Sequence, residues 1–289
     1  MSFCGSDLNE NAKKVFDILE LIISCLSFLC SFLLFFQMIS QVKKARLNVN
    51  QTPKSELAKR VLSLSVGLLI FYLTTIFRLS TDIENNPIVC RVNSGFQMFG
   101  MVSQLLWIPA VSIYTFGYLA NKFELNFPFI SVVLWTISTT VPLSLIFWLK
   151  SDFVCSNKDV FVSPKYEQSY NIVFVVCIFL SVVTSLVFYL LSRERRKLVS
   201  GRKKVIMASK VKRINLSFFL CWSLFAVRAI FSLSGCNNKY LINVMSFLFL
   251  SLGILMLWSW SAKKVYRTCS GIFCMRREEP FEEILLPVN

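Results

Sequence analysis

CRVNSGFQMFGMVSQLLWIPAVSIYTFGYLA, running from Cys90 to Ala120, is the stretch that decides the fold. From Val92 to Ala120 it continues for 29 residues without Asp, Glu, Lys or Arg, well past the roughly 20 apolar residues an α-helix needs to cross a bilayer. A cysteine opens it, Pro109 sits inside it, and Asn93, Gln97, Gln104 and Ser112 are spaced along it. Small and polar side chains within a spanning helix mark contact with other helices rather than with lipid. The stretch reads as the third and central helix of seven.

Working outward, six more uncharged runs occupy residues 21–39, 61–77, 125–149, 168–192, 214–227 (resuming past Arg228 to 234) and 240–262. All approach or exceed spanning length. The alternating segments of about ten residues that a membrane β-barrel requires are not seen. With 55% of 289 residues hydrophobic, the pattern predicts an all-α membrane protein, a seven-transmembrane helix bundle over residues 1–262. Residues 263–289 form an amphipathic juxtamembrane helix and a tail. Residues 1–16 are polar and lack a signal-peptide pattern, so the first span is expected to serve as its own insertion signal.

The net charge of +15 is informative through its placement. Basic residues cluster at 40–60 (Lys43, Lys44, Arg46, Lys54, Lys59, Arg60), at 193–213 and after the last run, whereas the alternate connections are near neutral. The positive-inside rule puts the basic connections in the cytosol, the N-terminus outside and the C-terminus inside. A multi-pass protein of the plasma membrane is expected, with lipids as its surroundings. Nucleic acid is not expected as a partner, because a nucleic-acid-binding face would not be interleaved with seven spans.

Local signals refine this picture. Thr52 followed by Pro53 makes an N-cap and first helical position, so the second helix should start there. The 193–213 connection has no proline and should extend helices 5 and 6 beyond the membrane, while Pro142 should kink helix 4. Trp258 and Trp260 read as an interfacial aromatic pair. No internal repeat is visible, which argues against an inverted-repeat transporter. The two Asn-x-Ser/Thr sequons, at Asn50 and Asn215, fall on the cytosolic side or within a helix, so no glycosylation is expected.

Topology sorts the ten cysteines. Cys25, Cys30, Cys177 and Cys221 lie in spans, where thiols behave as small apolar groups. Cys4, Cys90, Cys155 and Cys236 fall outside, an even number on the oxidising side that suggests two bridges. Cys90–Cys155 is the first choice, which leaves Cys4–Cys236; the alternative is that some of the four are free. Cys269 and Cys274 follow helix 7, where the segment 263–275 has an amphipathic pattern, and they are candidates for palmitoylation.

Histidine is absent, which removes histidine-based triads, histidine metal sites and the usual pH switch. No phosphate loop or metalloprotease motif occurs, so neither enzyme activity nor a cofactor is expected. Arg228 lies 14 residues past Ile214, about 21 Å into a hydrocarbon core of about 30 Å. Arg78 reaches a similar level on helix 2, and Gln97 joins them from helix 3. Charges at such depth face a cavity or a partner. A pocket lined by Arg228, Arg78 and Gln97 would suit a small anionic ligand; the structural alternative pairs Arg78 with Asp82, and Arg228 with Asp17 or Glu20.

Seven spans, a cysteine at the top of helix 3 and another in the second outer connection resemble a G-protein-coupled receptor. The rhodopsin-like Asp/Glu-Arg-Tyr and Asn-Pro-x-x-Tyr signatures are missing. The sequence is more similar to the cyclic-AMP-receptor-like family. Helix 3 carries Cys90, Gly100, Trp107 and Ser112-Ile113-Tyr114, and helix 6 carries Asn215, Cys221-Trp222 and Arg228-Ala229-Ile230. Ser-Ile-Tyr stands about two residues nearer the cysteine than in that family, and Arg228 one residue earlier, a rotation of about 100° on a helix. The resemblance implies a receptor for a small extracellular ligand of the cyclic-AMP kind. It also implies a heterotrimeric G protein as transducer, activated by rearrangement of helices 5 and 6. The competing classes are a seven-helix transporter or channel and a receptor-like protein that has lost coupling.

Overall fold

The computed structural model describes residues 10–47, 52–81, 86–120, 127–148, 153–155, 160–162, 164–197, 202–233 and 239–261. Among these, seven helices follow one another: α1 (Glu10–Leu47), α2 (Thr52–Ser80), α3 (Pro87–Ala120), α4 (Phe127–Trp148), α5 (Pro164–Lys197), α6 (Arg202–Leu233) and α7 (Lys239–Leu250). Residues 252–261 continue α7 after a turn at Ser251. The apolar runs become helices because lipid offers a backbone amide no partner, so each segment must satisfy its own N–H and C=O groups. Five of the helices are long and apolar enough to cross a membrane, and Pro128–Ser144 of α4 forms a shorter apolar helix. The chain is a helical membrane protein.

The all-α expectation needs one correction. Between α4 and α5, β1 (Phe153–Cys155) and β2 (Val160–Val162) pair antiparallel, with Val154 opposite Phe161. β1 packs against α3 and β2 against α5. The α3 boundary also differs from the sequence reading, which began the helix at Cys90. Asn86 Oδ1 accepts the backbone N–H groups of Ile88 and Val89, both at 3.2 Å, and Pro87 takes the first position, where a missing N–H costs nothing. The expected Thr52 start of α2, and the long extensions of α5 and α6, appear as anticipated.

Cross-helix contacts fix the directions. Thr75 and Arg60 of α2 meet Gln97 and Tyr114 of α3 respectively, so these two helices are antiparallel. Arg228 and Arg213 of α6 meet Ser246 and Ser259 around α7, again antiparallel. Leu105 and Phe116 of α3 face Ser181 and Phe188 of α5, which runs parallel to it. Helix α3 contacts α2, α4, α5 and α6, the central position that its polar residues suggested. The apolar windows of α2 and α3 are 61% and 50% buried inside the protein against 22% and 17% for α1 and α5, so the latter two are the peripheral helices. Their outward Leu29, Leu33, Phe36, Phe179 and Leu180 are the face offered to lipid.

Two glycines and one proline set how closely α3 packs. A Cβ on Gly100 would lie 2.8 Å from Phe71 Cβ and 2.9 Å from the Gly67 carbonyl, and one on Gly67 would lie 2.8 Å from Ser103 Cβ. The α2–α3 crossing is thus a backbone-to-backbone approach that only small residues permit. Pro109 has no N–H, so the carbonyl four residues earlier, Leu105, loses its helical donor. Ser181 Oγ of α5 donates to that carbonyl at 2.6 Å, and the defect in one helix becomes the attachment point of another.

The core itself is aromatic. Trp222 is fully buried and contacts Phe218 and Phe225 on its own helix, Phe174 of α5 and Phe249 of α7. On the α4 side Trp135 stacks on Phe99 and tilts against the fully buried Trp107. Of the expected interfacial tryptophan pair, Trp258 is exposed, but Trp260 is turned inward under Lys210, whose Nζ lies 4.3 Å from the ring centroid.

Candidate functional site

At the end of the bundle where α3 begins, the three polar residues singled out from sequence fall on two helix pairs. Gln97 Nε2 donates to Thr75 Oγ1 at 3.4 Å, joining α3 to α2. Arg78 follows Thr75 by one turn on the same face of α2. Arg228 lies across α6 and α7, with Nη1 donating to Ser246 Oγ at 2.6 Å. Arg78 and Arg228 are both partly buried, so each guanidinium is held against protein rather than lipid. Gln97 and Arg78 therefore share one interface and Arg228 anchors another. Cys90 is fully buried at this end and is disulfide-bonded, whereas Cys25, Cys30, Cys177 and Cys221 are free thiols. Cys4, Cys236, Cys269, Cys274 and the segment 263–275 lie outside the described residues.

Halfway along, α7 is interrupted without a proline. The Ser251 N–H reaches only Leu248 O, at 3.2 Å, and the Ser251 hydroxyl donates to the same carbonyl at 2.7 Å. The ladder groups this leaves over are taken by neighbouring helices. Ser27 Oγ of α1 donates to Leu250 O at 2.6 Å, the Gly253 N–H donates to Tyr72 Oη of α2 at 2.8 Å, and Cys221 Sγ of α6 lies 3.6 Å from Leu248 O. A Cβ at Gly253 would approach the Ser27 carbonyl to 2.6 Å, so glycine is required for α1 and α7 to come this close.

At the opposite end, where α3 finishes, Arg60 belongs to the basic run assigned to the cytosolic side, and it is 0% exposed. Its Nη1 donates to Glu56 O at 2.9 Å and Glu56 Oε2 at 3.2 Å, and its guanidinium lies 3.9 Å from the centroid of the Tyr114 ring. Planar guanidinium stacking on an aromatic face makes this burial tolerable. Close by, Ser112 Oγ of α3 lies 2.9 Å from Asn215 Oδ1 of α6. Arg213 Nε donates to Ser259 O at 2.9 Å, and the Ser217 and Ser259 hydroxyls meet at 2.8 Å, clamping α6 to the end of α7. Sequence reasoning missed these contacts; the i,i+4 spacing of Arg213 and Ser217, which puts both on one helix face, was the available signal.

Among the described residues no group of three or more His, Cys, Asp or Glu could hold a metal ion. No protein-family model matches the chain, and no curated protein matches it significantly.

Proposed function

We propose that the chain is a seven-helix G-protein-coupled receptor with its N-terminus outside and its C-terminus in the cytosol. In this reading it binds a small extracellular anion of the cyclic-AMP type and activates a heterotrimeric G protein. The observation that carries the reading is the meeting of Ser112 with Asn215. Both residues belong to the short motifs, on separate helices, that resemble the cyclic-AMP-receptor-like family. Further support comes from the central position of α3 and from two partly buried arginines toward the proposed outer end. Arg228, Arg78 and Gln97 would contact the ligand, binding having shifted a pre-existing equilibrium between arrangements of α5 and α6. Cys90 would be bridged to Cys155, whose strand packs against α3, and Cys4 to Cys236.

The test is nucleotide exchange on a panel of heterotrimeric G proteins co-expressed with the full chain, with and without cyclic AMP. A cyclic-AMP-dependent response is expected. Exchange that ignores cyclic AMP discards the ligand and keeps the receptor; silence on every G protein with the chain present at the cell surface discards the receptor. Arg228→Ala should abolish the response at unchanged surface level, and an unshifted dose–response curve refutes its ligand role.

One observation favours a transporter or channel instead. Gln104 is 0% exposed in the middle of α3, and neither its amide nitrogen nor its oxygen has a hydrogen-bond partner among the described residues. Buried amides of this kind are satisfied by water or ion. Solute flux through proteoliposomes, abolished by Gln104→Leu, would select that reading.

A further inference from the structure

A cavity of about 90 Å³ opens between α3, α5 and α6 at the end where α3 finishes. This is room for several water molecules or for one group of phosphate size. Its lining includes Ser112, Tyr189, Ser192, Arg193, Lys212 and Asn215, and among the described residues no acidic side chain lines it. Two of these polar groups are already desolvated and incomplete. Asn215 is 1% exposed with its Nδ2 unpartnered, and Ser192 is 8% exposed with its Oγ unpartnered among the described residues. Asn215 Oδ1 is occupied by Ser112, which leaves the amide N–H group as the free function facing the cavity. A buried donor without an acceptor costs about 1–3 kcal/mol, so an occupant that accepts hydrogen bonds is required.

We propose that this cavity binds a phosphate group. Hydroxyls, an amide donor and two cations, with no carboxylate among the described lining residues, match a tetrahedral anion whose oxygens accept several hydrogen bonds at once. The guanidinium of Arg193 suits paired phosphate oxygens and the ammonium of Lys212 acts as a point charge. Phosphate of this kind has two sources, the headgroup of a phosphoinositide or a soluble phosphate ester. The site does not depend on the receptor reading, since it rests on lining chemistry alone.

The experiment measures binding to the full chain in nanodiscs of neutral lipid, using inositol trisphosphate as soluble probe, and in parallel in nanodiscs doped with phosphatidylinositol bisphosphate. Saturable binding of either probe is expected, and the arm that binds identifies the source. Arg193→Gln and Lys212→Gln, both at exposed positions that leave packing intact, should each raise Kd by about tenfold or more. Lys212→Arg should retain binding, and Asn215→Leu should lose it. The control Lys43→Gln/Lys44→Gln removes two exposed charges from α1, far from the cavity. Equal weakening by that control would reduce the effect to general surface charge and overturn the site, as would failure of the wild-type chain to bind either probe. Unchanged Kd in both Arg193→Gln and Lys212→Gln would overturn it too, independently of how Asn215→Leu folds.

Discussion

Tyr72→Phe isolates the break in α7 with the smallest possible change. The ring stays, so the edge contact with Phe71 and the fully buried packing are kept. Only the hydroxyl disappears, and with it the acceptor for the Gly253 N–H, 2.8 Å away. An orphaned donor in a site closed to water costs about 1–3 kcal/mol, which places the loss near 2 kcal/mol. For a chain of this size that corresponds to a fall in Tm of about 4–8 °C, measured on purified protein in a neutral detergent. Tyr189→Phe, in phosphate-free buffer, supplies the control at a half-buried tyrosine. Amide exchange should quicken at Gly253 in the Tyr72 variant alone. An unchanged Tm together with unchanged exchange at Gly253 would refute the claim that α1 and α2 complete the ladder of α7.

Other substitutions test the packing by sign as well as size. Replacing glycine by alanine within a helix ordinarily stabilises by about 1 kcal/mol. At Gly100 and Gly253 the new methyl meets neighbouring backbone and side-chain atoms at 2.6–2.9 Å, so both variants should instead lose about 1–3 kcal/mol in a thermal melt. Ser181→Ala should lose about 1 kcal/mol by stranding the Leu105 carbonyl, but little in a Pro109→Ala background, where the restored N–H supplies the donor. A double-mutant cycle without coupling would disprove the link between the proline and α5.

Much of the helical framework was legible because a spanning segment must be both uncharged and long, and those two properties are written residue by residue. The start of α2 was legible for a similar reason, since Thr52 and Pro53 act within their own turn. The features that were not legible depend on residues far away in sequence. Nothing in Leu250-Ser251-Leu252-Gly253 announces a broken helix; the break persists because Ser27 and Tyr72 receive the groups it releases. Arg60 was counted with the cytosolic basic run, and its burial depends on Glu56 one turn away and on the Tyr114 ring arriving from α3. The Asn86-Pro87 start of α3 was readable in principle, but the uncharged run beginning after Arg91 masked it. Three-residue strands such as β1 and β2 are too short for any periodicity to register. Of the candidate site, Gln97 and Arg228, singled out as pocket residues, hydrogen-bond to neighbouring helices. Their division between two interfaces follows from packing that one-dimensional spacing does not encode.

The Arg60–Tyr114 stack bears on how the chain enters a membrane in the first place. A charged side chain inside the hydrocarbon opposes insertion, less so toward the interfaces than the about 2.5–3.5 kcal/mol at the centre, and α2 carries Arg60 sealed from solvent along with Arg78 toward its other end. Alone in lipid, α2 would have neither an aromatic face for its guanidinium nor a groove for Gly67. Both are supplied by α3, through Tyr114 and Gly100. The two helices thus form a natural unit of biogenesis, a hairpin whose first arm becomes comfortable in the bilayer only when the second has been made.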